Sequence, residues 1–240
     1  EIQAVSSAES NNSLTVVNSQ QQISNLVSSF SSAASISSSV FSDFDPSIWI
    51  VKNQTSQSQT HLVESYPADT ALSAQAFTYD QAVAGMALVE SGNLTEAGFI
   101  FHALLTRGND PGFQGFKTVY NSDTANGATV EDLRIMGPNA WVGLFCLKYY
   151  SASGDARAVE LALKIAAWID SLPAQGGARA MGANATGSSP NWGALFSVEN
   201  NLSYYALLKN LVNVVPPDAA VKSSLEADLA ALKLWLKTSA

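Results

Sequence analysis

The chain has 240 residues, with 12 Lys and Arg against 20 Asp and Glu and a net charge of −8. That balance argues against a nucleic-acid partner, which needs basic patches to release phosphate counterions. Charged residues make up only 13% while 47% are hydrophobic, enough for a sizeable core, and no apolar run reaches the ~18 residues needed to span a membrane.

Ser, Asn, Gln and Thr carry the polar surface instead of charge, which suits a secreted protein or one covered by partners. The chain starts at Glu1 without an initiator Met, so a processed, extracellular form is expected. Residues 1–45 are rich in Ser and Gln, yet Ile23, Leu26, Val27, Phe30, Ala33, Ala34, Val40 and Phe41 recur at helical spacing. This predicts an amphipathic N-terminal helix. It docks on its own domain, inserts into a neighbouring copy, or stays disordered. Asp45-Pro46 breaks it. Ile48–Val51 is β-rich and reads as a strand, and His61–Pro67 reads as its hairpin partner. Residues 1–66 are therefore taken as an N-terminal segment and 67–240 as the main domain.

That domain reads as all-α with short β segments. A first hairpin opens at Tyr79-Asp80-Gln81-Ala82, runs through Leu88, turns at Ser91-Gly92-Asn93 and returns over Thr95–Leu105. The second is the cleanest. Pro138 tolerates a helix start because its missing N–H would have no partner there, and Trp141, Leu144, Phe145 and Tyr149 follow at helical spacing. Gly154 suits a left-handed C-terminus and Asp155 caps the return helix, which is expected to bury Val159, Ala162, Leu163, Ala166 and Ile169. The third opens at Glu199-Asn200-Asn201, turns at Pro216-Pro217-Asp218 and returns over Ala219–Leu236. Asp80, Asn139 and Glu199 thus recur at intervals of about sixty residues, the mark of a repeat architecture.

Two long loops link the hairpins. Gly108–Met136 contains a predicted short strand over Phe116–Tyr120, and its Asp- and Asn-bearing part lacks the EF-hand register. Pro173–Ser197 is Gly-rich and carries Trp192. Both loops belong to the end of the domain that holds Asp80, Asn139 and Glu199, and loops of this length are commonly functional.

Asp80 and Glu199, both at helix starts on this end, are candidates for paired acid–base chemistry. Their competing role is to complement a helix dipole or cap free N–H groups. Asn139 is an N-cap candidate. Trp141 is core or a stacking platform, Trp192 is the better surface platform, and Tyr79 reads as core beside Asp80. Cys146 is a buried hydrophobe. His61 and His102 are too isolated for a metal, and His102 reads as a satisfied interhelical residue. No cofactor or metal is expected. Five Asn-X-Ser/Thr sequons, at Asn11, Asn53, Asn93, Asn184 and Asn201, carry little weight in so Ser-rich a chain.

Four stretches carry a family resemblance. Glu64-Ser65-Tyr66-Pro67, Phe77-Thr78-Tyr79-Asp80-Gln81-Ala82, Gly137-Pro138-Asn139-Ala140-Trp141 and Phe196-Ser197-Val198-Glu199-Asn200-Asn201-Leu202 resemble, in order, landmarks of secreted bacterial proteins of the six-hairpin glycosidase superfamily. The resemblance implies an (α/α)6 toroid whose inner helices surround a saccharide-binding funnel; since glycoside hydrolysis uses two carboxylates, it makes Asp80 and Glu199 the candidate catalytic pair and Tyr79, Asn139, Trp141 and Trp192 candidate sugar-binding residues. The family's Ser-Thr-Glu-His-Asn reads Ser197-Val198-Glu199-Asn200-Asn201 here, placing Asn200 at the His position among the candidate sugar ligands. Three hairpins stand where a closed toroid has six, so the array is partial or open. Two functions are expected: a secreted carbohydrate-active protein that hydrolyses or binds an oligo- or polysaccharide, or a non-catalytic extracellular subunit that assembles into oligomers or filaments.

Overall fold

The structure is a computed structural model and describes residues 45–56, 59–123, 129–183, 191–217 and 219–239. The predicted Ile23–Phe41 helix and the sequons at Asn11 and Asn184 lie outside the described residues. From Pro46 onward the chain forms one compact unit.

The first described element corrects an expectation. Ile48–Val51 is not a strand but part of helix α1, Pro46–Ser56, and His61–Pro67 is not a strand either. Pro46 takes the first helical position, where its fixed φ favours a start. Tertiary packing then overrides β propensity: Ile50 is buried in the core and Gln54 donates to the carbonyls of His61 (3.2 Å) and Glu96 (2.9 Å).

Three helical hairpins follow. They are α2 (Thr78–Glu90) with α3 (Leu94–Gly108), α4 (Met136–Ser153) with α5 (Ala156–Asp170), and α6 (Val198–Val214) with α7 (Lys222–Ser239). Helix α4 packs between α2 and α6, and these three make an inner layer. Behind them, α3, α5 and α7 make an outer layer. The expected punctuation holds at the central hairpin. Gly154 ends α4 at φ 74°, and Asp155 caps α5 by accepting the Arg157 N–H at 3.1 Å. Of the residues predicted for the buried face of α5, Ala162, Ala166 and Ile169 are buried while Val159 and Leu163 are half-buried. Leu88, Ile100, Phe101, Phe145, Ile165 and Leu207 fill the space between layers, each contributing about 1.5–3 kcal/mol by leaving water. Cys146 lies fully buried among them, and burial pushes its thiol pKa up.

The inner helices approach closely because small residues sit on their contact faces. Counted from the first helical residue, position 8 is Gly85 in α2 and Gly143 in α4, and position 10 of the following inner helix is Phe145 or Leu207. A Cβ on Gly85 would strike the Phe145 ring, and one on Gly143 would lie 2.7 Å from Leu207 Cδ1.

Short strands tie the loops together. β1 (Gln75–Phe77), β2 (Val119–Asn121) and β3 (Thr129–Glu131) form an antiparallel sheet in that order. β4 (Arg134–Ile135) pairs with β7 (Gly182–Ala183), and β5 (Ala174–Gln175) with β6 (Ala178–Arg179). The strand expected over Phe116–Tyr120 begins only at Val119. Among the described residues no helix is long and apolar enough to cross a membrane.

Candidate functional site

The sequence period is real, but its register is set by residues other than those first aligned. Position 4 of the inner helices is Gln81, Asn139 and Asn201, and their carboxamides make one repeated contact. Gln81 Oε1 accepts the Val63 N–H (2.8 Å) while its Nε2 donates to the Val63 carbonyl (2.8 Å). Asn139 does the same to Phe116 (2.6 and 3.0 Å) and Asn201 to Arg179 (2.9 and 2.9 Å). Each side-chain NH2 also donates to the carbonyl preceding its helix, at Phe77, Ile135 or Ser197. Two residues beyond each clamped position, the N–H of Ser65, Thr118 and Met181 donates to Gln75, Leu133 and Leu195 (2.9, 2.7 and 2.7 Å). The three loops are thus fastened to three helix starts by the same network. Buried backbone groups must find partners, and here a side-chain amide supplies both donor and acceptor.

This corrects several site expectations. Asn139 is fully buried, with both polar atoms committed to backbone, so it is neither an N-cap nor open to a sugar; the cap position is Ile135. Asn200 is 4% exposed, and its Oδ1 lies so close to Gly137 that a Cβ there would collide. It belongs to the α4–α6 contact. Asn201, a sequon residue, is buried in its clamp. Gln81 and Asn201 do not stand out in sequence, because the neighbouring Asp80 and Glu199 align with Asn139 at nearly the same spacing and Gln81 differs from the two Asn in type.

The residues beside the clamps are free of them. Tyr79 is exposed rather than core, at 42%, and meets the half-buried Trp141 of α4 edge to face, with centroids 5.4 Å apart at 76°. Asp80 follows Tyr79 in the first turn of α2 and is half-buried; Glu199 stands exposed in the first turn of α6. Neither carboxylate caps its helix. Phe77 precedes α2 without a side-chain cap bond, and Ser197 caps α6 by accepting the Asn200 N–H at 3.3 Å. Both remain placed to favour the positive end of the dipole. Trp192 is half-buried in a 3-10 turn, Trp192–Ala194.

Other polar features lie behind the inner layer. His61 takes a left-handed φ of 57° and stacks on Phe99 at 4.8 Å. His102 is exposed rather than buried between helices, with Nε2 3.2 Å from Arg157 Nη2. Both line an open cleft of about 470 Å³ along α3. A second cleft, about 260 Å³, takes Arg107, Lys117 and Arg134 into its wall. Asp132 meets the latter two (3.5 and 2.9 Å), and Arg107 lies 4.8 Å above the Tyr120 ring. Among the described residues no three His, Cys, Asp or Glu side chains group as metal ligands.

No protein-family model and no curated protein matches the sequence. Solved structures do match. An unsaturated glucuronyl hydrolase from Bacillus sp. GL1, responsible for the degradation of glycosaminoglycan, superposes with a TM-score of 0.63 at 9% identity, over 80% of this chain and 54% of its own. A cellobiose 2-epimerase from Spirochaeta thermophila gives 0.55 at 16% identity, over 69% and 44%. A sugar epimerase from a ruminal bacterium gives 0.54 at 14%, over 69% and 44%. The chain spans about half the length of these structures. Its three hairpins, layered as inner and outer helices, have the fold of the six-hairpin glycosidase superfamily, a partial (α/α)6 toroid.

Proposed function

We propose that the N-terminal end of the inner helices binds a saccharide, and that the chain is a secreted, carbohydrate-active toroid protein of glycoside hydrolase-like chemistry. The observation that carries this reading is the Tyr79–Trp141 ring pair at the starts of two adjacent inner helices, with Tyr79 exposed and Trp141 half-buried. Flat, partly exposed aromatic faces suit the apolar face of a sugar ring. Asp80 beside Tyr79 and Glu199 on α6 supply carboxylates, the groups that serve as acid and as base or nucleophile in glycoside cleavage. The structural neighbours act on unsaturated glucuronyl and cellobiose substrates by name, which makes those two sugars the first probes.

The test is a fluorescence titration with an unsaturated glucuronyl disaccharide and with cellobiose, followed by a turnover assay on whichever binds. Saturable quenching that disappears in Tyr79→Ala supports the site. Turnover that survives Asp80→Asn and Glu199→Gln together would remove the hydrolytic part and leave glycan binding.

A second reading is favoured by a separate observation. Val198 and Leu202 on α6 are 39% and 50% exposed, an apolar edge that suits a subunit of a larger assembly. Light scattering decides it: a monomer over a wide concentration range would end that reading.

A further inference from the structure

Away from the seams where inner helices meet, the loop between α3 and α4 gathers basic charge. Arg107, Lys117 and Arg134, three of the chain's 12 Lys and Arg residues, line the open cleft of about 260 Å³. This happens in a chain whose net charge is −8. Cations held so close repel one another, so the cluster favours anionic company. Two carboxylates supply part of it. Asp110, on the cleft wall, accepts the Gly112 N–H at 2.8 Å and is tied to its own turn. Asp132 meets Arg134 and Lys117 from a side chain that is 51% exposed.

The same wall holds donors that the protein leaves unspent. Tyr120 is 7% exposed, and its hydroxyl oxygen accepts the Lys117 N–H at 3.0 Å. Its phenolic proton remains to be donated, with no acceptor among the described residues. Arg134 gives Nη1 to Asp132, but its buried Nε–H has no partner among the described residues. Gly115 is buried, and its N–H meets no acceptor among the described residues. Buried donors are nearly always paired, so three unspent ones around a single basic cleft define their complement. It is a negatively charged group with several acceptor oxygens.

The donors are held on fixed backbone. Asn139 clamps Phe116, which lies between Gly115 and Lys117, and Thr78 Oγ1 donates to the Lys117 carbonyl. Gly115 has a φ of 85°, and a Cβ there would collide with the Trp168 indole, so only glycine fits. Arg107 packs over the Tyr120 ring and donates to the Ala103 carbonyl at 2.6 Å. Binding to groups ordered in advance avoids the cost of immobilising them.

We propose that this cleft is an oxyanion site for a phosphate- or sulfate-type group, taken as the free ion or carried on a small molecule. Lys117 and Arg134 supply charge-assisted hydrogen bonds, the strong kind, and Tyr120 and Gly115 add neutral donors. A tetrahedral group suits this set better than a planar carboxylate, because it offers oxygens to donors from four different residues. The volume lies just under the ~300–1,000 Å³ of typical small-molecule sites, which leaves room for a few atoms beyond the anion itself. The cleft shares no residue with the Tyr79–Trp141 pair, and the proposal does not rest on the saccharide reading.

The test is isothermal titration calorimetry on the full chain at constant ionic strength, with inorganic phosphate, inorganic sulfate, glycerol phosphate and acetate as probes. Phosphate and sulfate are expected to bind saturably at one site, and acetate at least tenfold more weakly. Tighter binding of glycerol phosphate than of inorganic phosphate assigns the cleft to a carried group, and equal binding assigns it to the free ion. Arg134→Gln and Lys117→Gln are each expected to weaken binding at least tenfold. Asp132→Asn, at a half-exposed side chain whose loss leaves the fold intact, is expected to tighten it several-fold by removing the competing carboxylate. Lys148→Gln serves as the control for general screening, since Lys148 pairs with Glu90 outside the cleft, and it should bind as the wild type does. No saturable binding of phosphate or sulfate overturns the proposal. So does acetate that binds as tightly as phosphate, or an Asp132→Asn chain that binds no better than the wild type.

Discussion

Two sets of residues share the first turns of the inner helices and face opposite fates. Gln81, Asn139 and Asn201 point into the protein and spend their hydrogen-bonding capacity on loop backbone. Tyr79, Asp80 and Glu199, one or two residues away, make no such contact and stand at the surface or half-exposed. One turn of helix therefore does both jobs. The clamped set fixes where the loops lie, and the unclamped set is thereby held on a rigid element, which is how a site gains geometric definition. Polar residues in a first turn cannot be sorted into these roles by type, only by which way the helix turns them.

Removing a clamp is the largest expected effect. Asn139→Ala leaves the buried Phe116 N–H and C=O without partners, and the expected loss is about 2–5 kcal/mol. Asn201→Ala should lose stability in the same way, read as a lower urea midpoint with unchanged slope. If either variant lost less than Tyr79→Ala, the contrast between the two sets would collapse. Next in size are the seams. Gly143→Ala drives a methyl group against Leu207 and is expected to cost about 1–3 kcal/mol, again by urea titration, with Gly85→Ala behaving alike.

A smaller effect is expected at the central hairpin. Asp155→Ala removes the cap of α5 and should cost about 1 kcal/mol. Hydrogen bonds from Arg157 hold the Asp155 carboxyl below the usual carboxylate range. A depressed acid stabilises the fold fully above its unfolded value, about pH 3.9, and loses that contribution as pH falls through the folded value. The difference between wild type and Asp155→Ala should therefore shrink in strong acid and stay constant near neutrality. The smallest expected stability change is that of Tyr79→Ala, below about 0.5 kcal/mol for an exposed side chain, with its effect appearing in saccharide binding instead.

The hairpins are readable in sequence because helical periodicity and local punctuation coincide, as at Gly154 and Asp155. The repeat is readable too, but its register is not. Alignment by charge pairs Asp80 with Asn139 and Glu199, whereas the structure pairs Gln81 with Asn139 and Asn201, one residue on in the first hairpin and two in the third. Loops of unequal length separate the clamps, and each clamp grips backbone, which leaves no mark on the letters it contacts. Helix α1 is misread for the opposite reason. Ile48-Trp49-Ile50-Val51 favours a strand locally, and only burial of Ile50 and the reach of Gln54 to α3 decide for a helix. In the candidate site, three of the four landmark stretches mark the correct helix starts, yet exposure of Tyr79 and burial of Asn200 depend on neighbours that lie some sixty residues away.

The most direct measurement of the central claim is titration of the wild-type chain and Tyr79→Ala with the two probe saccharides, monitored by Trp fluorescence. The account predicts saturable binding of at least one probe to the wild type and its loss in Tyr79→Ala, with equal urea midpoints for both proteins. Binding that persists unchanged in Tyr79→Ala, or no binding of either probe to a folded wild type, would contradict it.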